Sequence, residues 1–437
     1  MGTNWLSEIE SSSLQEIIAP LIAANTEAKS KPFRRRQTFK KEMKALHLAV
    51  ANKEAPLPSI SDACTLIRLL ASGELEIEHK RVNVDLAYFL ELFDSKEVIQ
   101  TISASYGGSP NAQRSHLMRV LACQETEPAA LALKSLIREH GFPSVYPRVF
   151  WKLREHVEGL SFYALELVEN PGVHLGDIVN LINHALYTKK LDASVLDPAA
   201  ALIEERINTL LPSVLSMQAG IHGRWHRDRE YFGLRSDLAA WIDLSGIVPA
   251  CNVDVLKNAH ESADPVINLF LVTALIAKEA SIPASAIAIS AESHETTRGL
   301  YHTLQARNHL HLFPKDLKTF EHFAAAAMVS WLSHTSELGE EPESIELHSI
   351  VERHQNDHPS ERYCLWRFTD AEGKAFAGVS GPFTTESWED PTPQTVRSEG
   401  TFSNFKPWDE VTPSEHLKTV LDTLSDWKLS RYDGAQS

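Results

Sequence analysis

Cysteine is scarce in this chain: four residues in 437, Cys64, Cys123, Cys251 and Cys364, lie far apart with no CxxC pair. Such spacing excludes a disulfide framework and the common zinc modules, and suits buried thiols in a reducing compartment. Long apolar runs are missing as well. No stretch approaches the roughly 18 residues of a membrane-spanning helix, so no membrane partner is expected. Near the N-terminus no basic segment precedes an apolar one, and Glu8, Glu10 and Glu16 interrupt what hydrophobicity there is. The expected location is cytoplasmic.

Several catalytic signatures are also absent. There is no phosphate loop, no GxGxxG opening a helix and no HExxH, which removes the common nucleotide-binding and metalloprotease readings. No cofactor and no metal are expected. Positive charge is in the minority, 42 Lys and Arg against 58 Asp and Glu, for a formal net charge of −16. A field of that sign repels phosphates and attracts cationic partners, so nucleic acid is disfavoured unless a local basic face overrides the total.

What is present is apolar material in helical order. With 43% hydrophobic and 23% charged residues the chain has enough to build a continuous core. Apolar residues recur at steps of three and four through most of its length, broken by Gly107-Gly108, Gly141-Phe142-Pro143, Gly159 and Asn170-Pro171-Gly172, which read as loops between helices. Asp197-Pro198 and Asp264-Pro265 each offer an N-cap acceptor followed by proline at the first helical position. After Asp264 the residues Leu269 to Ile276 are apolar almost all round, as expected of a helix covered on both sides. After Pro314, the residues Leu317, Phe320, Phe323, Ala324, Ala327, Met328, Trp331 and Leu332 trace a core stripe.

Beyond Leu332 the pattern changes. Glu337, Glu340, Glu341, Glu343 and Glu346 crowd around Gly339 and Pro342 and read as an acidic linker. Two β-prone runs, 363–368 and 375–379, flank Asp370-Ala371-Glu372-Gly373 as a hairpin signal, and 401–405 offers a third strand. Thr412-Pro413-Ser414-Glu415 then forms a capping box with Leu417, Val420, Leu421 and Leu424 on one helix face. The expected domains are N-terminal helices with a basic cluster over 1–55, helical repeats over 56–335, the linker over 336–360 and a small α+β module over 361–437.

Two basic clusters stand out. Between Lys29 and Lys44, eight basic residues including Arg34, Arg35, Arg36, Lys40 and Lys41 face a single acid, Glu42. They form either a patch for phosphate or an acidic partner, or a solvated helix face paired with neighbouring acids. The stretch His222 to Tyr231, followed by Arg235, brings Arg224, Trp225, Arg227, Arg229 and Tyr231 together with two histidines. Arginine with aromatics is the composition of a partner-binding hot spot. The alternative is an internal network in which Asp228, Glu230, Asp237 and Asp243 satisfy the arginines.

Other candidates are weaker. Gly378-Val379-Ser380-Gly381-Pro382 departs from a nucleophile elbow at its fifth position and reads as a strand end or turn. His348, His354 and His358 match no metal spacing, and His309 with His311 suits an inter-helix turn. No catalytic residue is expected.

The paired helices of 254–308, with their Asp264-Pro265 start, resemble HEAT-type repeats, a likeness that extends over about residues 85–332. Joined to a C-terminal segment carrying Gly378-Val379-Ser380-Gly381-Pro382 and Thr401-Phe402-Ser403, the chain is similar to bacterial HEAT-repeat proteins, some of which act as toxin-immunity proteins. The resemblance implies a mainly α fold, a HEAT-like α-solenoid with a small C-terminal α+β module. It implies a non-enzymatic, protein-binding role toward a basic toxin or effector. HEAT-like DNA glycosylases, which hold duplex in a basic groove, are the alternative, and the acidity of this chain departs from them.

Overall fold

The computed structural model describes residues 5–26, 32–74, 81–143, 149–221, 228–334, 338–355, 358–384, 386–397 and 400–422. The protein is mainly helical, 66% helix, with a four-stranded antiparallel sheet near its C-terminus. No helix among the described residues is long and apolar enough to cross a membrane. The chain divides into two compact units, the first comprising Met1–Ile203 with Val248–Cys251, the second Glu204–Ile247 with Asn252–Ser437.

The first unit contains α1 (Ser12–Thr26), α2 (Pro32–Ala51), α3 (Ile60–Ser72), α4 (Arg81–Leu90), α5 (Lys96–Tyr106), α6 (Asn111–Ala122), α7 (Glu127–His140), α8 (Val149–Glu155), α9 (Leu160–Glu169) and α10 (Leu175–Tyr187). Local chemistry starts and stops these helices. Ser59, Ser95 and Thr126 accept from backbone N–H groups of the first turns of α3, α5 and α7, satisfying donors that no helical carbonyl can reach. Packing follows second neighbours along the chain: α2 on α4, α4 on α6, α6 on α8 and α8 on α10, with α3 on α5, α5 on α7 and α7 on α9. Each helix can thus bury one apolar stripe against its layer and another against the helix before or after it. Leu86, Phe89, Ile102, Leu117, Leu121, Leu160, Leu167, Ile178 and Ile182 are all fully buried there.

Asp197-Pro198 does not open an α-helix. It lies in a 3-10 segment, Ala193–Ala199, capped by Asp192, and α11 (Ala200–Ile221) starts after it. Asp197 Oδ1 instead accepts from Ala250 N at 3.0 Å.

The second unit continues with α12 (Arg229–Ile247), α13 (Pro265–Ala277), α14 (Ala284–Glu292), α15 (Thr297–Ala306) and α16 (Phe320–Leu332). Here Asp264 does cap α13, its Oδ1 accepting from Val266 N at 2.8 Å and Ile267 N at 3.4 Å. From Pro265 to Ile276 no residue of α13 is exposed, because α12 and α14 cover it. The α12 contact is unusually close: a Cβ built on Gly246 would sit 2.6 Å from Ala274 Cα. In α16, Phe320, Phe323, Ala324, Met328 and Leu332 are buried, but Trp331 is 37% exposed, at the edge of the stripe.

Strands β1 (Ser344–Gln355), β2 (His358–Thr369), β3 (Ala375–Phe383) and β4 (Gly400–Pro407) pair in sequence order. The expected hairpin is β2–β3, with Thr369 opposite Ala375. Asp370 Oδ1 accepts from Glu372 N at 3.0 Å and Lys374 N at 2.8 Å, and Gly373 takes the left-handed φ of 79°. The stretch 336–360, expected as a linker, supplies β1 and the start of β2. Glu346 and Glu352 are exposed on β1, where Glu346 pairs with Arg367 at 3.9 Å and Glu352 with Arg362.

One sheet face packs Tyr363, Leu365, Ala377 and Val379 against Leu417 and Val420 of a helix over 413–422. That helix begins with the expected capping box, Thr412 N donating to Glu415 Oε2 at 2.9 Å and Glu415 N to Thr412 Oγ1 at 3.4 Å. The residues read as a turn, Ser380 to Pro382, lie within β3. Gly381, at φ 141°, allows this because a Cβ there would come within 2.8 Å of Arg362 O and 2.7 Å of the Tyr363 ring.

Candidate functional site

Of the arginine and aromatic stretch, Arg224, Trp225 and Arg227 lie outside the described residues. Arg229 begins α12 and is exposed, whereas Tyr231 is fully buried and Arg235 is 4% exposed. Asp228 Oδ1 caps the turn by accepting from Tyr231 N at 2.9 Å, which directs residues 231 and 235, one helical turn apart, inward together.

They meet a carboxylate cluster. The Tyr231 hydroxyl donates to Asp264 Oδ2 at 2.7 Å and accepts from Gln218 Nε2 at 2.8 Å. Gln218 Nε2 also donates to Ser262 Oγ at 2.7 Å, and its Oε1 accepts from Ala263 N at 3.2 Å. Arg235 reaches Glu295 with both terminal nitrogens, at 3.4 and 3.2 Å, stands 3.7 Å from Asp264 Oδ2, and stacks over the Phe232 ring at 4.8 Å.

One guanidinium therefore serves several acids. Burial holds the Glu295 carboxyl above its ordinary range, against the pull of Arg235. Burial, with the Glu295 carboxylate next, pushes Glu341 up to about 7. Burial and then Asp264 raise the Tyr231 phenol. The acids that meet Arg235 are Asp264 and Glu295, whereas sequence proximity suggested Asp228, Glu230, Asp237 and Asp243. The chemistry is that of a polar lock joining the starts of α12 and α13 to the loop before α15.

Of the first basic cluster, Lys29 and Lys31 lie outside the described residues and the rest falls on α2. Arg34, Arg35 and Arg36 fall within the helix, with side chains outside the described set, while Lys40, Lys41 and Lys44 are exposed. Phe39 at 2% and Met43 at 1% exposure hold the opposite face in the core.

One concave feature of the first unit went unread in the sequence. Helices α8 and α10 flank an open groove of about 900 Å³ in the first unit. Phe150, which lines it, belongs to an aromatic cluster: Phe142 and Phe150 stack at 4.8 Å, and His174 meets them at 5.7 and 5.6 Å. His174 Nε2 donates to Pro143 O at 3.1 Å, fixing the first residue before α10. Along α10, Asp177, Asn180, Asn183, His184 and Tyr187 line the groove at steps of three and four, facing Arg154 and Glu155 of α8. Tyr187 is 87% exposed and Asn180 is exposed. A signal existed in the polar spacing Asn180-x-x-Asn183-His184-x-x-Tyr187, but a polar helix face ordinarily means only solvent.

No group of three or more His, Cys, Asp or Glu among the described residues could hold a metal ion. Ser380 is 1% exposed and its hydroxyl accepts from the Trp366 indole N–H at 2.7 Å. His309 and His311 have ring centres 6.0 Å apart beside a 3-10 turn.

Comparison with models of protein families, with curated proteins and with solved structures finds no match. Function must therefore be argued from the sites themselves.

Proposed function

We propose that this chain is a non-enzymatic protein-binding module whose α8–α10 groove receives an extended segment of a partner protein. The observation that carries the reading is Tyr187, an aromatic left 87% exposed along a groove of about 900 Å³. Exposed tyrosine supplies large contact area at small entropic cost, which is why it is enriched where proteins bind. The Asn180 carboxamide offers a donor and an acceptor together, the pair that an extended peptide backbone presents in return. Second-neighbour packing from α2 to α10 supports the α-solenoid reading of that unit, an architecture suited to holding another chain. The net charge of −16 favours a basic partner, of which a toxin or effector is one class, by speeding encounter.

The test is affinity capture with the tagged full-length chain, with and without nuclease, using wild type, Tyr187→Ser and Asn180→Lys. A stoichiometric protein that survives nuclease and is lost from both variants is the expected result. Capture indifferent to both substitutions, or recovery only of nuclease-sensitive material, overturns it.

The nucleic-acid reading draws on Lys40, Lys41 and Lys44, which α2 presents to solvent together. It requires binding to duplex that weakens steeply with salt and is lost in a Lys40→Glu, Lys41→Glu variant.

A further inference from the structure

A second, smaller pocket lies in the first unit, between the α6–α7 connection and the start of α9. Its volume is about 210 Å³. That is below the roughly 300–1,000 Å³ of small-molecule sites and matches a single long side chain. Leu133, Phe162 and Tyr163 give it apolar and aromatic walls, and Glu125, Glu127 and Glu158 stand at its polar side.

The charge is one-sided. Glu158 is paired with Lys190 at 2.8 Å and Glu125 with His156 at 2.6 Å, so among the described residues three carboxylates meet one permanent cation. The N-terminus of α7 contributes only about half a positive charge, too little to reverse the sign. A separate observation points the same way. Gln124, 5% exposed, lines the pocket; its Nε2 donates to Phe93 O at 3.1 Å, and its Oε1 is buried with no hydrogen-bond partner. An acceptor removed from water and left unmatched is a cost that an entering donor removes.

We propose that this pocket is a socket for an arginine side chain of the partner protein. The proposal rests on the protein-binding reading above and deepens it by naming the partner's contact residue. Arginine fits better than lysine on each count. Its flat guanidinium stacks on the half-buried Phe162 ring, and its five donors can serve Gln124 and Glu125 at once. Its aliphatic stem suits the leucine-lined wall.

The experiment titrates the full-length protein with Nα-acetyl-arginine amide and with the isosteric, uncharged Nα-acetyl-citrulline amide, following binding by NMR. Saturable binding of the arginine probe alone, weakened about fivefold by Glu125→Gln, is expected; this corresponds to an exposed ion pair at the upper end of its usual worth. Glu125 is 65% exposed, so the variant retains the fold. Gln124→Met, which removes the unmatched acceptor, should weaken binding further. Equal binding of both probes, no saturable binding, or indifference to Glu125→Gln overturns the socket.

Capture separates the two proposals. A partner lost from Tyr187→Ser but retained by Glu125→Gln and Gln124→Met keeps the protein-binding reading and removes the socket. Selective binding of the arginine probe by a chain that captures no protein keeps the site, assigns it to a free guanidinium compound, and removes the partner.

Discussion

The Tyr231 hydroxyl donates to Asp264 Oδ2 at 2.7 Å while the other oxygen of the same carboxylate caps α13, so one aspartate fastens α12 to the start of the next helix. Both residues are fully buried, and Gln218 completes the phenol's bonding. Tyr231→Phe keeps the ring and removes only the hydroxyl. It should cost about 1–3 kcal/mol, the penalty for leaving a buried carboxylate oxygen short of its donor. Asp264→Ala loses the cap as well and leaves Arg235 with Glu295 alone, and should cost about 2–5 kcal/mol, the lost cap and the lost buried hydrogen bond together. Urea unfolding of both single variants and the double variant measures this. Because the two groups share one bond, the double variant should fall short of the sum, and additivity would show that they do not act together.

Glu341 gives the stability a pH dependence of defined sign. Burial and the nearby Glu295 carboxylate raise it from an ordinary 4.5 to about 7, so the folded chain holds this proton more tightly than the unfolded chain does. The stabilisation is present below the unfolded value and is lost as pH rises from there through about 7. Glu295, also raised by burial, adds to the same trend. Urea midpoints between about pH 5 and pH 8 should therefore fall with pH in the wild type and fall less in Glu341→Gln. An unchanged slope in the variant would place the titration elsewhere.

Helix α13 was legible in the sequence because its signals are local: the Asp264 cap, proline at the first position and apolar residues all round. The β2–β3 hairpin was legible for the same reason, through Asp370 and Gly373. Strand β1 was hidden by its own chemistry. Glu346, at the end of the acidic run around Gly339, made its start read as a linker, and only pairing with β2 sets Arg367 opposite it. The polar lock was equally non-local, since Arg235 meets Glu295 at a separation of 60 residues. Trp331 follows the α16 core period yet is 37% exposed, because periodicity marks a face and not its edge. The α8–α10 groove needs two helices side by side, which no single helix pattern contains.

The thiols should be inert in the folded protein. Cys64, Cys251 and Cys364 are buried and Cys123 is half-buried. Burial pushes the Cys123 and Cys364 thiols up to about 12, leaving almost no thiolate at neutral pH. A chromogenic disulfide reagent at about pH 8 should label these two slowly in the native state and all four quickly in denaturant. Fast native labelling of Cys364 would show that the sheet opens readily.

Gly246 supplies a test of how tightly the second unit is built. In an isolated helix, Gly→Ala stabilises by about 1 kcal/mol, because glycine has more backbone freedom to lose. Here the new methyl would stand 2.6 Å from Ala274 Cα and 2.8 Å from Ala274 Cβ, and neither atom can rotate away. Helices α12 and α13 would have to separate, and overpacking of this kind costs about 1–3 kcal/mol. The contact should therefore reverse the propensity gain, and Gly246→Ala should lower the urea midpoint. Ala274→Gly in the same chain relieves the clash with Cβ but not that with Cα, so the double variant should recover part of the loss and not all of it. Full recovery would mean that the side chain alone sets the spacing, and a stabilised single variant would mean that the helices already stand farther apart.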